Sequence, residues 1–355
     1  MPTDHDAVTA EPDGADPEQE NPTRDARPDH ARPDIEERID HARHDIEERI
    51  DHARHDIEER LDAARVQFEE TNEKIKKRTG RDLLAAIGIG LLAGALLIVS
   101  LFIVKWLFVV FAGAVMGLAA FELATALRVA GRRVPRVPVV VVALGAAPAA
   151  FFLHVAGLWL VFIVGGALVI LWRLVEQAIP AFRSSGRDLA RDVATSVFVL
   201  AYIPLLAGMY LALAGQDGGE WWVLATLIIV VGVDTAAYAT GLNFGRHKMA
   251  PTISPGKTWE GFAGAALFAL IAGALLAWLM LHQPIWVGLI LGAVLLITAV
   301  MGDLAESLIK RDIGVKDISG WLPGHGGFLD RLDSILPSGI VAFAAALIFD
   351  AQIPG

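Results

Sequence analysis

The chain contains no cysteine in its 355 residues. That excludes a disulfide framework, a thiol nucleophile and any zinc site built on thiolates. Large apolar residues are almost missing from Met1 to Pro33, where Asp, Glu, Pro and Ala dominate. Such a segment cannot bury enough apolar surface to fold, so a disordered acidic tail is expected over 1–33. With no apolar run near the N-terminus, no cleavable signal peptide is expected either. The formal net charge of −10 is also uneven: Met1–Asp82 holds 25 acidic and 14 basic residues, which leaves the remainder near neutral. The acidity therefore belongs to the tail and says little about what the rest of the chain binds.

What is abundant is apolar sequence. Hydrophobic residues make up 54% of the chain and the mean hydropathy is +0.51. From Leu83 onward, apolar runs of about 18 to 25 residues recur, the length needed to cross a bilayer. The expected fold is an all-α polytopic membrane protein, with a membrane domain over 83–351. Nine spans are expected, near 83–101, 104–127, 137–154, 157–173, 190–214, 221–241, 260–281, 285–304 and 335–351. Lys and Arg are placed asymmetrically between them. Arg128, Arg132, Arg133 and Arg136 follow the second span, Arg173, Arg183, Arg187 and Arg191 the fourth, and Arg246, Lys248 and Lys257 the sixth. The opposite loops hold only Lys105. The positive-inside rule then puts the N-terminus and every basic loop in the cytoplasm, and the uncharged tail Gln352–Gly355 outside.

Between the tail and the membrane domain lies an internal repeat. DIEERIDHARH occurs at Asp34–His44 and at Asp45–His55, and DIEERLDAARV follows at Asp56–Val66. A period of 11 corresponds to about 3.67 residues per turn and favours a straight or slightly right-handed coiled coil. Ile35, Ile39, Ile46, Ile50, Ile57 and Leu61 form one narrow apolar stripe. Asp34–Arg38, Asp45–Arg49 and Asp56–Arg60 place each acid four residues before a base, the favourable order. A cytoplasmic coiled-coil helix over 34–78 is expected, with the same segment of a second protomer as its partner. His41, His44, His52 and His55 read as part of its solvated flank.

The chemistry concentrates in Ser307–Asp333, SLIKRDIGVKDISGWLPGHGGFLDRLD. Charge at this density beside a bilayer is costly unless it serves something. Just upstream, Asp303, Glu306, Ser307, Lys310 and Arg311 recur at helical spacing and share one face. Pro323-Gly324-His325-Gly326-Gly327 is a loop of little bulk whose backbone N–H groups could approach phosphate oxygens. Asp330 and Asp333 follow at i, i+3. With Asp303 they supply three carboxylates, the hard-oxygen set that suits Mg²⁺ with phosphates completing its shell. Lys310, Arg311, Lys316 and Arg331 suit phosphate oxygens. Asp234, and the loop Gly245–Gly261 with Lys257, fall on the same side. No Ser–His–Asp nucleophile set is evident.

These residues resemble the signature of the bacterial phosphatidate cytidylyltransferases, or CDP-diacylglycerol synthases. That pattern runs Ser-x-apolar-Lys-Arg, then Lys-Asp, a Pro-x-His-Gly-Gly loop and Asp-Arg-x-Asp. Here it is matched by Ser307, Lys310, Arg311, Lys316, Asp317, Pro323, His325, Gly326, Gly327, Asp330, Arg331 and Asp333. Asp234–Tyr238 and Ser254–Gly261 are similar to the family's other recurring segments. The resemblance implies transfer of CMP from CTP to phosphatidic acid, giving CDP-diacylglycerol and pyrophosphate in phospholipid biosynthesis. It implies a catalytic set of Asp303, Ser307, Lys310, Arg311, His325, Asp330 and Asp333. Substrate contacts are expected from Lys257, Lys316, Gly326, Gly327, Arg331 and Asp234. Asp303, Asp330 and Asp333 would hold Mg²⁺, with a second cation beside it. A cell-membrane enzyme with a cytoplasmic active site is expected, as a homodimer assisted by the coiled coil and with no nucleic-acid partner. The nearest alternative is a CTP-dependent polyprenol kinase, which would release CDP instead of pyrophosphate.

Overall fold

The computed structural model describes residues 83–315, 318–319 and 327–350. The expected tail and coiled-coil helix lie outside these residues, as do Lys316, His325 and Gly326 of the expected site. The described chain is mostly helical. In order it forms α1 (Leu83–Phe102), α2 (Lys105–Val129), α3 (Arg136–Glu176), α4 (Gly186–Leu200), α5 (Leu206–Ala214), α6 (Gly219–Phe244), α7 (Trp259–Leu279), α8 (Ile285–Asp312) and α9 (Ile335–Phe349). A 3₁₀ turn, Leu329–Arg331, precedes α9. Among the described residues, six segments are long and apolar enough to cross a membrane: α2, α3, α4 through α5, α6, α7 and α8. Leu160, Ile163, Val164, Leu267, Ile271 and many other large apolar side chains are exposed on the outside of the bundle. In water such a surface would aggregate; against lipid it is the expected solvent face.

Two of these segments are interrupted. At 41 residues, α3 would be about 60 Å long if straight, twice the apolar thickness of a bilayer. It breaks at His154, whose φ of 53° and ψ of −143° are far from helical. The break falls where the sequence separates 137–154 from 157–173. Between α4 and α5 the backbone makes a π turn over Ala201–Leu205 that contains Pro204. Proline has no N–H to donate and crowds the preceding turn, so a wider local winding is the natural response. One expected span, 190–214, is thus two helices joined by a π turn.

The helices meet in sequence-neighbouring pairs, α2 with α3, α6 with α7 and α7 with α8, while α9 packs on α5, α6 and α8. The last helix therefore joins the two halves of the bundle. The α7–α8 crossing is made by small residues. A Cβ placed on Gly273 would lie 2.3 Å from the Gly288 carbonyl oxygen, and one on Gly292 would lie 2.2 Å from that of Ala269. Backbones in such contact gain dispersion that lipid cannot match, the usual basis of helix pairing in membranes.

At the end of the bundle where α3 gives way to α4, a buried ion pair ties the connections down. Arg173 is fully buried and its Nη2 lies 2.9 Å from Asp192 Oδ2. The Arg133 N–H donates to the other Asp192 oxygen at 3.0 Å, and Arg173 also donates to the Phe182 carbonyl. Both charges are hydrogen-bonded as well as paired, the condition under which a buried pair is tolerated. The loop Gly245–Gly261, expected to bring Lys257 to the site, holds an antiparallel hairpin of β1 (Lys248–Ala250) and β2 (Ser254–Thr258). Thr258 then caps α7 by accepting from the Gly261 N–H at 3.1 Å. At the other end of the bundle, Lys105 opening α2 pairs with Glu220 opening α6 at 3.2 Å.

Candidate active site

Four elements meet at the end of α8 that carries the charges. Asp303, Glu306, Ser307, Lys310 and Arg311 come from the last turns of α8. Asp330 and Asp333 come from the turn before α9, Asp234 from α6, and Lys257 from β2. The helical spacing read from the sequence holds: Glu306 and Lys310, one turn apart, are in contact. The approach of α9 to α8 depends on Gly302. A Cβ there would lie 2.3 Å from the Asp333 carbonyl oxygen and 2.7 Å from Pro337. The absent side chain is what lets Asp333 settle beside Asp303.

Lys257, Lys310 and Arg311 each meet a carboxylate or a carbonyl. Lys257 Nζ lies 2.7 Å from Asp303 Oδ2. Lys310 Nζ lies 3.0 Å from Asp330 Oδ1 and 2.8 Å from Glu306 Oε2. Arg311 Nε reaches the Ile253 carbonyl of the hairpin at 3.5 Å, a long contact. Arg331 is exposed on the 3₁₀ turn. Ser307 Oγ is 3.4 Å from Asp303 Oδ1, at the edge of hydrogen-bond range. The Gly327 N–H donates to Asp330 Oδ2 at 2.8 Å, so the end of the glycine loop and the Asp-Arg-x-Asp segment are one structural unit. Asp234 accepts from Ser334 Oγ at 2.6 Å, which draws α6 to the start of α9.

The expected convergence of three carboxylates is only partly present. Asp333 feels the charges of Asp303 and Asp234, so those acids are neighbours. Asp330 instead faces Lys310 and Glu306. Among the described residues no three Asp, Glu or His side chains stand close enough together to ligate one ion. The electrostatics still favour a cation. Burial, reinforced by the carboxylate of Asp303, pushes Asp333 up to about 7. Burial opposes the charge on Asp330 as well, but the neighbouring Glu306 carboxyl, the Gly327 N–H and Lys310 outweigh it and hold that group below its ordinary range. Asp234, Asp303, Glu306, Asp330 and Asp333 form a linked cluster whose paired ammonium groups are Lys257 and Lys310. An excess of crowded hard-oxygen donors is the environment a divalent cation relieves. The donor chemistry therefore fits Mg²⁺.

Three side chains at the site were not singled out from the sequence. Glu306, noted there only for its spacing, is fully buried. The 2.8 Å approach of Lys310 to it is an ion pair off hydrogen-bond angle, so neither Glu306 oxygen is hydrogen-bonded among the described residues. Tyr202 sits in the π turn, and its buried hydroxyl has no partner among the described residues although Glu306, Asp333 and Asp303 are near. Wide turns of this kind recur where a helix serves function. Glu122, in α2, accepts from the Leu329 N–H at 3.0 Å. An acid inside the second apolar run was the available signal for Glu122. None marks Tyr202, because its place is set by a turn type that the sequence does not announce.

A site of this composition, at one end of an apolar bundle, is compatible with several phosphate-transferring enzymes. The comparisons decide among them. The profile of the cytidylyltransferase family matches residues 84–349. The chain belongs to that family. A phosphatidate cytidylyltransferase of Mycobacterium bovis is 37% identical over 273 residues, covering 75% of this chain and 89% of the relative. One from Mycobacterium leprae is 36% identical over 274 residues, 75% of this chain and 88% of the relative. A phosphatidate cytidylyltransferase of Haemophilus influenzae is 41% identical over 126 residues, 33% of this chain and 42% of the relative. The family match of this cytidylyltransferase spans the described bundle and the residues around 316–326. The matched stretch begins after the 11-residue repeat, which is therefore an addition to the family's domain.

Proposed function

We propose that the protein is a phosphatidate cytidylyltransferase, making CDP-diacylglycerol and pyrophosphate from CTP and phosphatidic acid. The observation that carries this reading is the cluster of Asp303, Asp330 and Asp333 with Lys257 and Lys310 at one end of a membrane bundle, in a chain similar along most of its length to proteins of that name. The attacking group is an oxygen of the lipid's phosphomonoester, ionised near neutral pH. It forms a bond to the α-phosphorus of CTP, and the bond from that phosphorus to the bridging β-oxygen breaks. Pyrophosphate leaves with the electron pair. No proton has to be removed from a weak nucleophile, so the site needs charge neutralisation and in-line placement more than a strong base.

The roles follow from position. Lys257 and Lys310, now paired with Asp303 and Asp330, turn toward phosphate oxygens as substrates enter. Arg311, Lys316 and Arg331 supply further positive charge for the triphosphate and the leaving pyrophosphate. Asp303, Asp330 and Asp333, divided between Mg²⁺ and a second cation and not gathered on one ion, would hold the metals; when bound these would neutralise phosphate charge and polarise the reacting phosphorus. Glu306 holds Lys310 from the buried side.

The same reading covers the organisation of the chain. The break at His154, the helix α1 and the short apolar helix α9 fit nine crossings, with the charged ends of α6 and α8 at the cytoplasmic face of the cell membrane. A homodimer strengthened by the 11-residue repeat fits the narrow apolar stripe of that segment. The test is direct: purified protein with CTP labelled in the α-phosphate, phosphatidate and Mg²⁺. Label is expected in the lipid fraction with stoichiometric release of pyrophosphate. Release of CDP with no lipid-linked CMP would overturn the reading in favour of a lipid kinase.

A further inference from the structure

Glu122 is an acid two turns from the C-terminal end of α2, only 2% exposed, with mostly apolar residues around it in the helix. Its carboxylate is fully engaged, and by residues about two hundred positions away. Oε1 accepts from Ser319 Oγ, and Oε2 accepts from the Leu329 N–H at 3.0 Å. Gly327 lies directly against it: a Cβ on Gly327 would be 3.0 Å from Oε2 and 3.1 Å from Oε1. Leu329 opens the 3₁₀ turn that carries Asp330, and the first N–H groups of such a turn have no partner within it. Glu122 supplies that partner. From there the chain of contacts is short, because Asp330 is held by the Gly327 N–H and by Lys310.

We propose that Glu122 is a positioning residue for the catalytic centre: it fixes the Gly327–Arg331 turn, and through it the carboxylate of Asp330, to the second membrane helix. An ion or phosphate never touches Glu122 in this arrangement. Its contribution is geometric. A catalytic carboxylate on a turn between two helices has little of its own to hold it still, and a displacement of about 1 Å is enough to cost roughly a hundredfold in rate. Two hydrogen bonds to a buried, rigid helix remove that freedom. They also couple the first half of the bundle to a signature that lies wholly in the second.

The proposal rests on the reading of Asp330 as a ligand of a divalent cation, and the test separates the two. Mn²⁺ binding to the purified full-length protein is followed by loss of the free-ion EPR signal, with thermal unfolding of the metal-free protein measured alongside. Glu122→Ala is expected to weaken Mn²⁺ binding at least about fivefold. Glu122→Gln is expected to stay within about twofold, because its amide oxygen still accepts from Leu329 and its amide nitrogen donates to Ser319 Oγ. Metal affinity in Glu122→Ala equal to that of the unmodified protein would overturn the proposal. So would a Glu122→Gln as impaired as the alanine variant, since that would make charge and not geometry the cause. Should Glu122→Ala fail to assemble, Ser319→Ala removes one of the two hydrogen bonds to Glu122; an unchanged Mn²⁺ affinity there is equally damaging. If the unmodified protein binds no Mn²⁺, the cation reading itself fails, a result distinct from all of these.

Discussion

Asp330 and Asp333 are three residues apart, yet their surroundings differ. Asp330 is stabilised as a carboxylate by Lys310 and the Gly327 N–H, whereas Asp333 is crowded by Asp303 and by burial. Both surroundings suit cation binding: one member ionises readily and the other needs a positive charge to do so. Asn at either position keeps the volume and removes the charge. Asp330→Asn and Asp333→Asn are each expected to lower CMP transfer by at least about a hundredfold, the scale seen when a preorganised charge is removed from a phosphate or oxyanion site. Monodisperse elution in detergent would show that folding survives. Near-normal turnover in either variant would take that residue out of the metal set. Ser307 is less well placed than its position in the motif suggests, since its only described contact is the long one to Asp303.

At the scale of elements, the decisive contact is between α8 and the start of α9. Gly302 lets the Asp333 carbonyl approach to a distance that no side chain allows. Gly302→Ala is therefore expected to force the two helices apart, at a cost of about 1 to 3 kcal/mol in stability. CMP transfer should fall more steeply than stability, because Asp303 and Asp333 separate with the helices. A thermal midpoint and a specific activity both equal to the unmodified protein's would show that the helices re-pack without harm. The broken elements tell a related story. The kink of α3 at His154 falls between the expected spans 137–154 and 157–173, and 190–214 lies within one apolar segment, Gly186–Ala214, in which a π turn with Pro204 changes winding without changing hydropathy. The hairpin of β1 and β2 was likewise hidden, as its strands are three and five residues long and carry no alternating pattern.

At the scale of the whole molecule, the absence of cysteine permits a clean test of orientation. Ser185→Cys lies in the loop between α3 and α4, and Gln352→Cys follows α9. With nine crossings, an impermeant thiol reagent applied to intact cells should label the second and spare the first. Labelling of Ser185→Cys without lysis would reverse the orientation, and labelling of neither or of both would break the odd number of crossings. The 11-residue repeat is expected to be dispensable for chemistry, since the family match starts at residue 84. Protein beginning near Lys74 should retain CMP transfer within about twofold while sedimenting as a smaller or weaker oligomer. A truncated protein that is inactive yet folded would instead tie the repeat to catalysis.

The sequence alone determined the membrane class and the family, and it set the expectation of which residues carry the chemistry. Those depend on composition, on the length of apolar runs and on the order of a motif, all of which are local properties of the chain. Helical spacing also brought Glu306 and Lys310 together correctly, because i, i+4 neighbours meet in any helix. The tertiary structure decided which charges pair: Lys257 of β2 with Asp303 of α8, and Lys310 of α8 with Asp330 of the 3₁₀ turn. It alone brought Tyr202 and Glu122 to the site, from helices with no part in the motif. Such long-range contacts follow from how helices cross, and crossings are set by small residues such as Gly302, Gly273 and Gly292 acting in pairs. A single sequence shows each member of those pairs but not its partner.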